Sequence, residues 1–216
     1  MNAYPSCLRS LCALLAAFWL SVGSLHALAE GSTDSNPRVV MKTTDGDITV
    51  ELFADKSPVT VKNFLQYVDD GYYDGTVFHR VISNFMIQGG GFDSSLNEKP
   101  ALFPPIKLEA ATSLSNTRGT IAMARTNEPN SATSEFFINH ADNKFLDASK
   151  SSDGYAVFGY VIDGLSVLDS IATVATHSVT VHGTKFDDVP KTPIVIESVR
   201  RVVVPEPTCF VRVFRF

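Results

Sequence analysis

The chain has 216 residues, 44% of them apolar, and its 18 basic and 23 acidic residues leave a net charge of −5. That length supports one domain with a sizeable core, and no basic patch with interleaved aromatics stands out, which argues against nucleic acid as a partner. Of three cysteines, two lie in the first twelve residues, so a chain that loses its leader keeps Cys209 alone and forms no intrachain disulfide.

The leader is the first predicted element. Met1–Arg9 carries one positive charge and no acid, Leu11–Val22 is apolar, and Ala27-Leu28-Ala29 has the small-x-small form a signal peptidase reads. We expect a signal peptide over residues 1–29, cleaved before Glu30. A membrane anchor is the competing reading, but a span needs about 20 apolar residues and this run is shorter. No small-residue lipobox precedes Cys7 or Cys12. The expected destination is the periplasm, with secretion beyond it as the other outcome and no stable membrane insertion after processing. Residues 30–37 are polar and read as a flexible lead-in.

Val39, Met41 and Thr43 alternate with polar neighbours, as do Ile48, Val50 and Leu52, around the turn-forming Asp45-Gly46. That pattern predicts a β-hairpin. Ser57-Pro58 then opens a helix, with serine as the expected cap and proline in the first turn, and Gly71 closes it. Val61, Phe64, Leu65 and Val68 form its apolar stripe. Short strands are expected at Thr76–Ile82, Phe85–Gln88, Gly119–Ala124, Glu135–Asn139 and Ala156–Val161. A second helix is expected at Leu165–Val174, burying Leu165, Leu168 and Ile171, and a closing strand within Lys191–Val204. Many short strands with two helices imply a mainly β barrel or sandwich. The tail, residues 205–216, alternates apolar and basic residues and reads as an edge strand or a loose end.

The segment from Phe78 to Phe92 concentrates an arginine, a glutamine, large apolar residues and Gly89-Gly90-Gly91, with no nucleophile or metal ligand set beside them. The glycines lack phosphate-loop spacing and suggest a tight turn or a close backbone approach. His79 alternates to the face opposite Arg80 and reads as structural. His140, His177 and His182 show no zinc spacing, and no serine-hydrolase elbow is present; neither metal nor cofactor is expected.

Taken with Ser134-Glu135-Phe136-Phe137-Ile138 and the block from Thr120 to Leu146, the segment resembles the signature of the cyclophilins, the prolyl cis/trans isomerases. The resemblance runs from about Arg38 to Val204, domain boundaries we set at 38–204, and leans toward the bacterial exported branch. It implies a closed eight-stranded antiparallel barrel with a helix over each opening. It also implies Arg80 and Gln88 as catalytic residues and Phe85, Met86, Phe137 and Leu146 as a proline pocket. Ala124 and Arg125 fall where the family holds the peptide backbone. Phe145 stands where tryptophan is frequent, Tyr155 where histidine is frequent, and Glu135 where glutamine is usual.

The chemistry suits these residue types. Rotation about an X–Pro bond is opposed by amide resonance, a barrier of roughly 18–20 kcal/mol. In the twisted state the proline nitrogen regains a lone pair, which an always-charged guanidinium can hold by a hydrogen bond. An apolar notch keeps the ring still meanwhile. The implied partners are proline-containing unfolded or partly folded polypeptides, met by a monomer. Cyclosporin-like ligands are expected to bind weakly, since Phe145 lacks an indole N–H. Glu135 is expected to pair with Arg80 or its neighbours and to lower turnover. The alternative is a chaperone or scaffold module that holds proline segments with little turnover. A hollow small-ligand barrel has little support, because an eight-stranded interior is filled by side chains.

Overall fold

The computed structural model describes residues 36–110 and 114–202; the leader, most of the lead-in and the tail with Cys209 lie outside them. Strand β1 (Arg38–Thr43) pairs antiparallel with β2 (Gly46–Leu52), and Met41 faces Ile48 across the ladder. The turn uses Thr44 and Asp45, one residue earlier than the Asp-Gly dipeptide suggests, and Gly46 takes a φ of 129° as the first residue of β2. Val39, Met41, Ile48, Val50 and Leu52 are fully buried, so the alternation read from sequence is the alternation between core and solvent.

Helix α1 (Pro58–Asp69) buries Val61, Phe64, Leu65 and Val68 as one stripe. Its start differs from expectation. The Ser57 hydroxyl makes no cap and instead donates to the Val157 carbonyl at 2.8 Å. The cap comes from far along the chain, where the Glu109 carboxylate accepts from the backbone N–H groups of Val59 and Thr60 and from the Thr60 hydroxyl. An anion at a helix start is favoured by both the unpaired donors and the dipole. Replacing Glu109 with alanine is expected to remove about 0.5–2 kcal/mol of stability. A thermal melt checks this: the midpoint falls by roughly 1–8 °C for a domain of this size.

The remaining elements are β3 (Thr76–Ile82), β4 (Met86–Asp93), β5 (Thr120–Met123), β6 (Phe136–Asn139), β7 (Val157–Asp163), α2 (Leu165–Ala172), β8 (Thr176–Val181), β9 (Thr184–Pro190) and β10 (Val195–Arg201). Eight strands close a barrel in the order β1, β10, β3, β4, β6, β5, β7, β2, while β8 and β9 form a separate two-stranded ribbon. The ribbon has no counterpart among the predicted elements. His182 and Gly183, at φ 51° and 80°, make its turn, the left-handed pair that a two-residue hairpin favours.

Strand β4 runs on through Gly89-Gly90-Gly91, so these glycines serve close approach rather than a turn. At Gly90, φ is 86° and a Cβ would stand 2.9 Å from the Phe136 ring and 3.0 Å from Tyr73. The barrel is filled from both ends of the sequence, and Phe64 of α1 meets Tyr73, Phe136 and Phe158 with ring centroids 5.1–5.8 Å apart. Among the described residues, no helix is long and apolar enough to cross a membrane.

Candidate active site

Period two in β4, β5 and β6 sorts side chains to two faces. Ile87, Ile121 and Ile138 join the barrel core, whereas Met86, Ala122 and Phe137 belong to a second apolar cluster outside it. Phe85, Ala124, Leu146 and Tyr155 pack around that cluster. The strands are in register for this: Gln88 faces Phe137 across one ladder and Arg80 across the other.

The result is a groove of about 270 Å³ lined by Arg80, Phe85, Met86, Gln88 and Phe137 on one side. Ala124, Arg125, Leu146 and Tyr155 complete it. Nine of the eleven residues nominated from sequence therefore share one recess. Phe145 is not among them. It stacks on Phe85 at 5.7 Å and is 70% exposed, standing at the rim.

Phe85 is placed by its backbone. The turn between β3 and β4 holds Asn84 at φ 57°, a conformation asparagine tolerates better than most residues. The Phe85 carbonyl accepts from the His140 N–H at 2.9 Å and from Nδ2 of Asn143 at 2.7 Å. Asn143 in turn donates to Asn139 of β6, and Asn139 donates to Asn116 and Thr120. This buried amide chain ties the pocket to the barrel. Opposite it, the Arg125 guanidinium donates to the carbonyls of Gly154 and Thr126 and lies 4.7 Å from the Tyr155 ring centroid. Tyr155 meets Phe137 edge-on at 5.6 Å. Arg125 thus braces one pocket wall as well as lining the groove.

Arg80 is half-exposed, and the nearest acid paired with it is Asp188 of β9, at 3.9 Å. That contact could not be foreseen without the ribbon. Glu135 does not pair with Arg80. It occupies an adjoining recess shared by Arg80, Gln88, Phe92, Lys185 and Asp187, where Oε2 accepts from Nε2 of Gln88 at 2.8 Å. Burial raises the Glu135 carboxyl above its ordinary range, the Gln88 N–H opposes this, and the charge of Glu98 adds to it.

His79 departs from simple alternation. The β3–β4 register shifts between Phe78 and Arg80, so an extra residue bulges there and His79 lines the Glu135 recess beside Arg80. Its Nε2 lies 3.5 Å from Oε2 of Glu135. Burial, then the Arg80 charge, lowers the imidazole to about 4, so it is neutral at pH 7. Another recess, of about 220 Å³ between the ribbon and residues 94–96, contains none of the nominated residues.

The sequence matches the family described as "Cyclophilin type peptidyl-prolyl cis-trans isomerase/CLD" over residues 38–201. The chain belongs to the cyclophilin-type peptidyl-prolyl isomerases. A peptidyl-prolyl cis-trans isomerase of Acinetobacter baylyi is 54% identical over 177 residues, covering 82% of this chain and 88% of the relative. Peptidyl-prolyl cis-trans isomerase A of Dickeya dadantii is 48% identical over 192 residues, 89% of this chain and 96% of the relative. Among solved structures, a cyclophilin-type isomerase of Cryptosporidium parvum, crystallised in the presence of the dipeptide Ala-Pro, superposes with a TM-score of 0.66. It is 28% identical, and the match covers 77% of this chain and 99% of that one. The closed barrel with two helices is accordingly the cyclophilin fold.

In this cyclophilin the residues that sequence reading missed are those supporting the groove from elsewhere in the chain. Asn143 and His140 hold Phe85, and Asp188 faces Arg80. Only the ribbon left a readable trace, as His182-Gly183 follows the β-branched run Val179-Thr180-Val181.

Proposed function

We propose that this isomerase accelerates X–Pro rotation in exported proteins as they fold, with Arg80 donating to the prolyl nitrogen in the twisted state. The observation that carries this reading is the meeting of Arg80, Gln88 and the Phe85–Met86–Phe137–Leu146 notch in one groove. An apolar wall takes the pyrrolidine ring, and the guanidinium stands beside it with donors on a rigid fork. Gln88 and Ala124 are suited to hold the flanking peptide backbone. One charge-assisted hydrogen bond supplies about 1.5–3 kcal/mol, or one to two decades in rate. The remainder comes from fixed dipoles and reduced water around the bound segment.

The substrates on this reading are proline-containing unfolded or partly folded polypeptides bound by a monomer. The leader pattern of residues 1–29 supports a periplasmic location. Uncatalysed prolyl rotation takes tens of seconds or longer, slow enough to limit folding there. A protease-coupled or NMR exchange assay on an X–Pro peptide tests the activity. Turnover by the wild type supports the enzyme, and binding without turnover would favour the chaperone or scaffold reading.

Phe145 gives a separate expectation. At the rim it offers a ring but no donor, so cyclosporin-like ligands bind weakly. Phe145→Trp restores an N–H and should tighten such a ligand by about two- to twelvefold, the value of one net hydrogen bond. Titration calorimetry on both proteins checks it, and equal affinities would defeat the idea.

A further inference from the structure

The Gln88 side chain borders three spaces. It lines the groove with Arg80 and also two recesses that contain Glu135, one on the ribbon side and one beside Glu98 and Arg125. A planar amide can turn either its NH2 or its oxygen toward a neutral partner. An ionised carboxylate only accepts, so it selects one orientation: Nε2 on Oε2 of Glu135, with the amide oxygen on the far side. Glu135 is itself confined. A Cβ on Gly91 would stand 2.6 Å from its Cγ and Oε1, and His79, packed 4.6 Å from the Phe92 ring, lies against the same oxygen that Gln88 meets.

We propose that Glu135 is a positioning residue which, while ionised, turns the Gln88 amide oxygen toward the groove, where it accepts a backbone N–H of the bound peptide. The proposal rests on the reading of Gln88 as a substrate contact. Its chemistry has a definite sign. Once protonated, Glu135 can donate to the Gln88 oxygen, and the amide is then free to reverse and present N–H groups to a peptide N–H. Contact with substrate is lost on the acid side.

The surroundings bear on where this happens. Burial and Glu98 raise the Glu135 carboxyl, while Gln88 lowers it. From β3, neutral His79 and charged Arg80 line the ribbon-side recess; Lys185, Asp187 and Asp188 line it from the ribbon, and Glu98 and Arg125 line the second recess that Glu135 shares. Tyr72, raised mainly by its own burial, is raised further by the Glu135 charge. Because burial and the Arg80 charge lower the His79 imidazole to about 4, His79 also gains a proton on the acid side, and mutation of Glu135 separates its effect.

The experiment measures kcat/KM on an X–Pro peptide from about pH 4 to about pH 8, for wild type and Glu135→Gln, a range that spans ordinary carboxylate and imidazole titration. In the wild type kcat/KM is expected to fall about two- to twelvefold toward acid, the value of one net hydrogen bond. Glu135→Gln should abolish that limb. In parallel, the Gln88 side-chain NH2 signals, followed by NMR, should shift with the same midpoint in the wild type and stay fixed in Glu135→Gln. The NMR arm needs no turnover. A shifting Gln88 signal in a protein without catalysis would sink the catalytic reading of Gln88 and leave the orientation intact. A flat wild-type profile, an acid limb that persists in Glu135→Gln, or Gln88 signals that ignore the Glu135 titration would each overturn the proposal.

Discussion

Arg80→Ala is expected to lower kcat/KM for an X–Pro peptide by roughly ten- to a hundredfold, with peptide affinity changed far less. The size follows from one charge-assisted hydrogen bond of about 1.5–3 kcal/mol, where each decade in rate needs about 1.4 kcal/mol. On the proposed mechanism the direction follows from differential binding: a planar prolyl amide offers its nitrogen poorly as an acceptor, so a guanidinium contact would strengthen chiefly as the bond twists, and only such contacts accelerate the step. The apolar notch, built from Phe85, Met86, Phe137 and Leu146, remains in the mutant to hold the ring.

Stability should hardly move, because Arg80 is half-exposed and its paired acid, Asp188, is 3.9 Å away. Such surface pairs contribute about 0–1 kcal/mol. The check is a protease-coupled assay beside a binding titration and a melt. Equal kcat/KM in mutant and wild type would remove the arginine from the mechanism. Arg80→Lys should recover only part of the loss, since a point ammonium lacks the planar fork.

The residues that line the groove were legible through the family resemblance; alternation on strands sorts only Arg80, Met86, Gln88 and Phe137, while Phe85, Ala124, Arg125, Leu146 and Tyr155 lie outside the strands. Met86 and Gln88 face out of β4 while Ile87 faces in, and period two alone separates them. The family resemblance then joined strands that are far apart in sequence. What stayed hidden is long-range polar pairing. The Glu109 cap on α1 spans 49 residues to Thr60, and a serine beside the helix start offered a closer, wrong candidate. The Asn116–Asn139–Asn143 chain behind Phe85 joins three polar residues with no shared period. His79 was misjudged in face because a bulge breaks alternation locally, and bulges leave little trace in a single sequence. Glu135 was expected to pair with Arg80 or its neighbours, and it meets Gln88, which faces Arg80 across the ladder, rather than Arg80 itself.

Phe64→Ala is expected to produce the largest loss of stability, about 3–5 kcal/mol. Its ring is fully buried and touches Tyr73, Phe136 and Phe158, so truncation removes transfer energy and leaves a cavity in the aromatic layer beneath β4 and β6. The neighbours cannot easily close that space. Tyr73 is tied through its hydroxyl to the Ser134 carbonyl at 2.9 Å, and the Phe136 ring is packed against Gly90, 2.9 Å from where a Cβ would stand. A domain stable by 5–15 kcal/mol overall would lose a large share of that margin, and urea denaturation should show an earlier midpoint with an unchanged slope.

Activity per folded molecule should change much less, because Phe136 faces the core while Phe137 beside it faces the groove. The two readouts therefore separate packing from chemistry: Phe64→Ala moves the denaturation midpoint and Arg80→Ala moves kcat/KM. A Phe64→Ala protein with an unaltered midpoint would mean that the aromatic layer does not carry the barrel's stability.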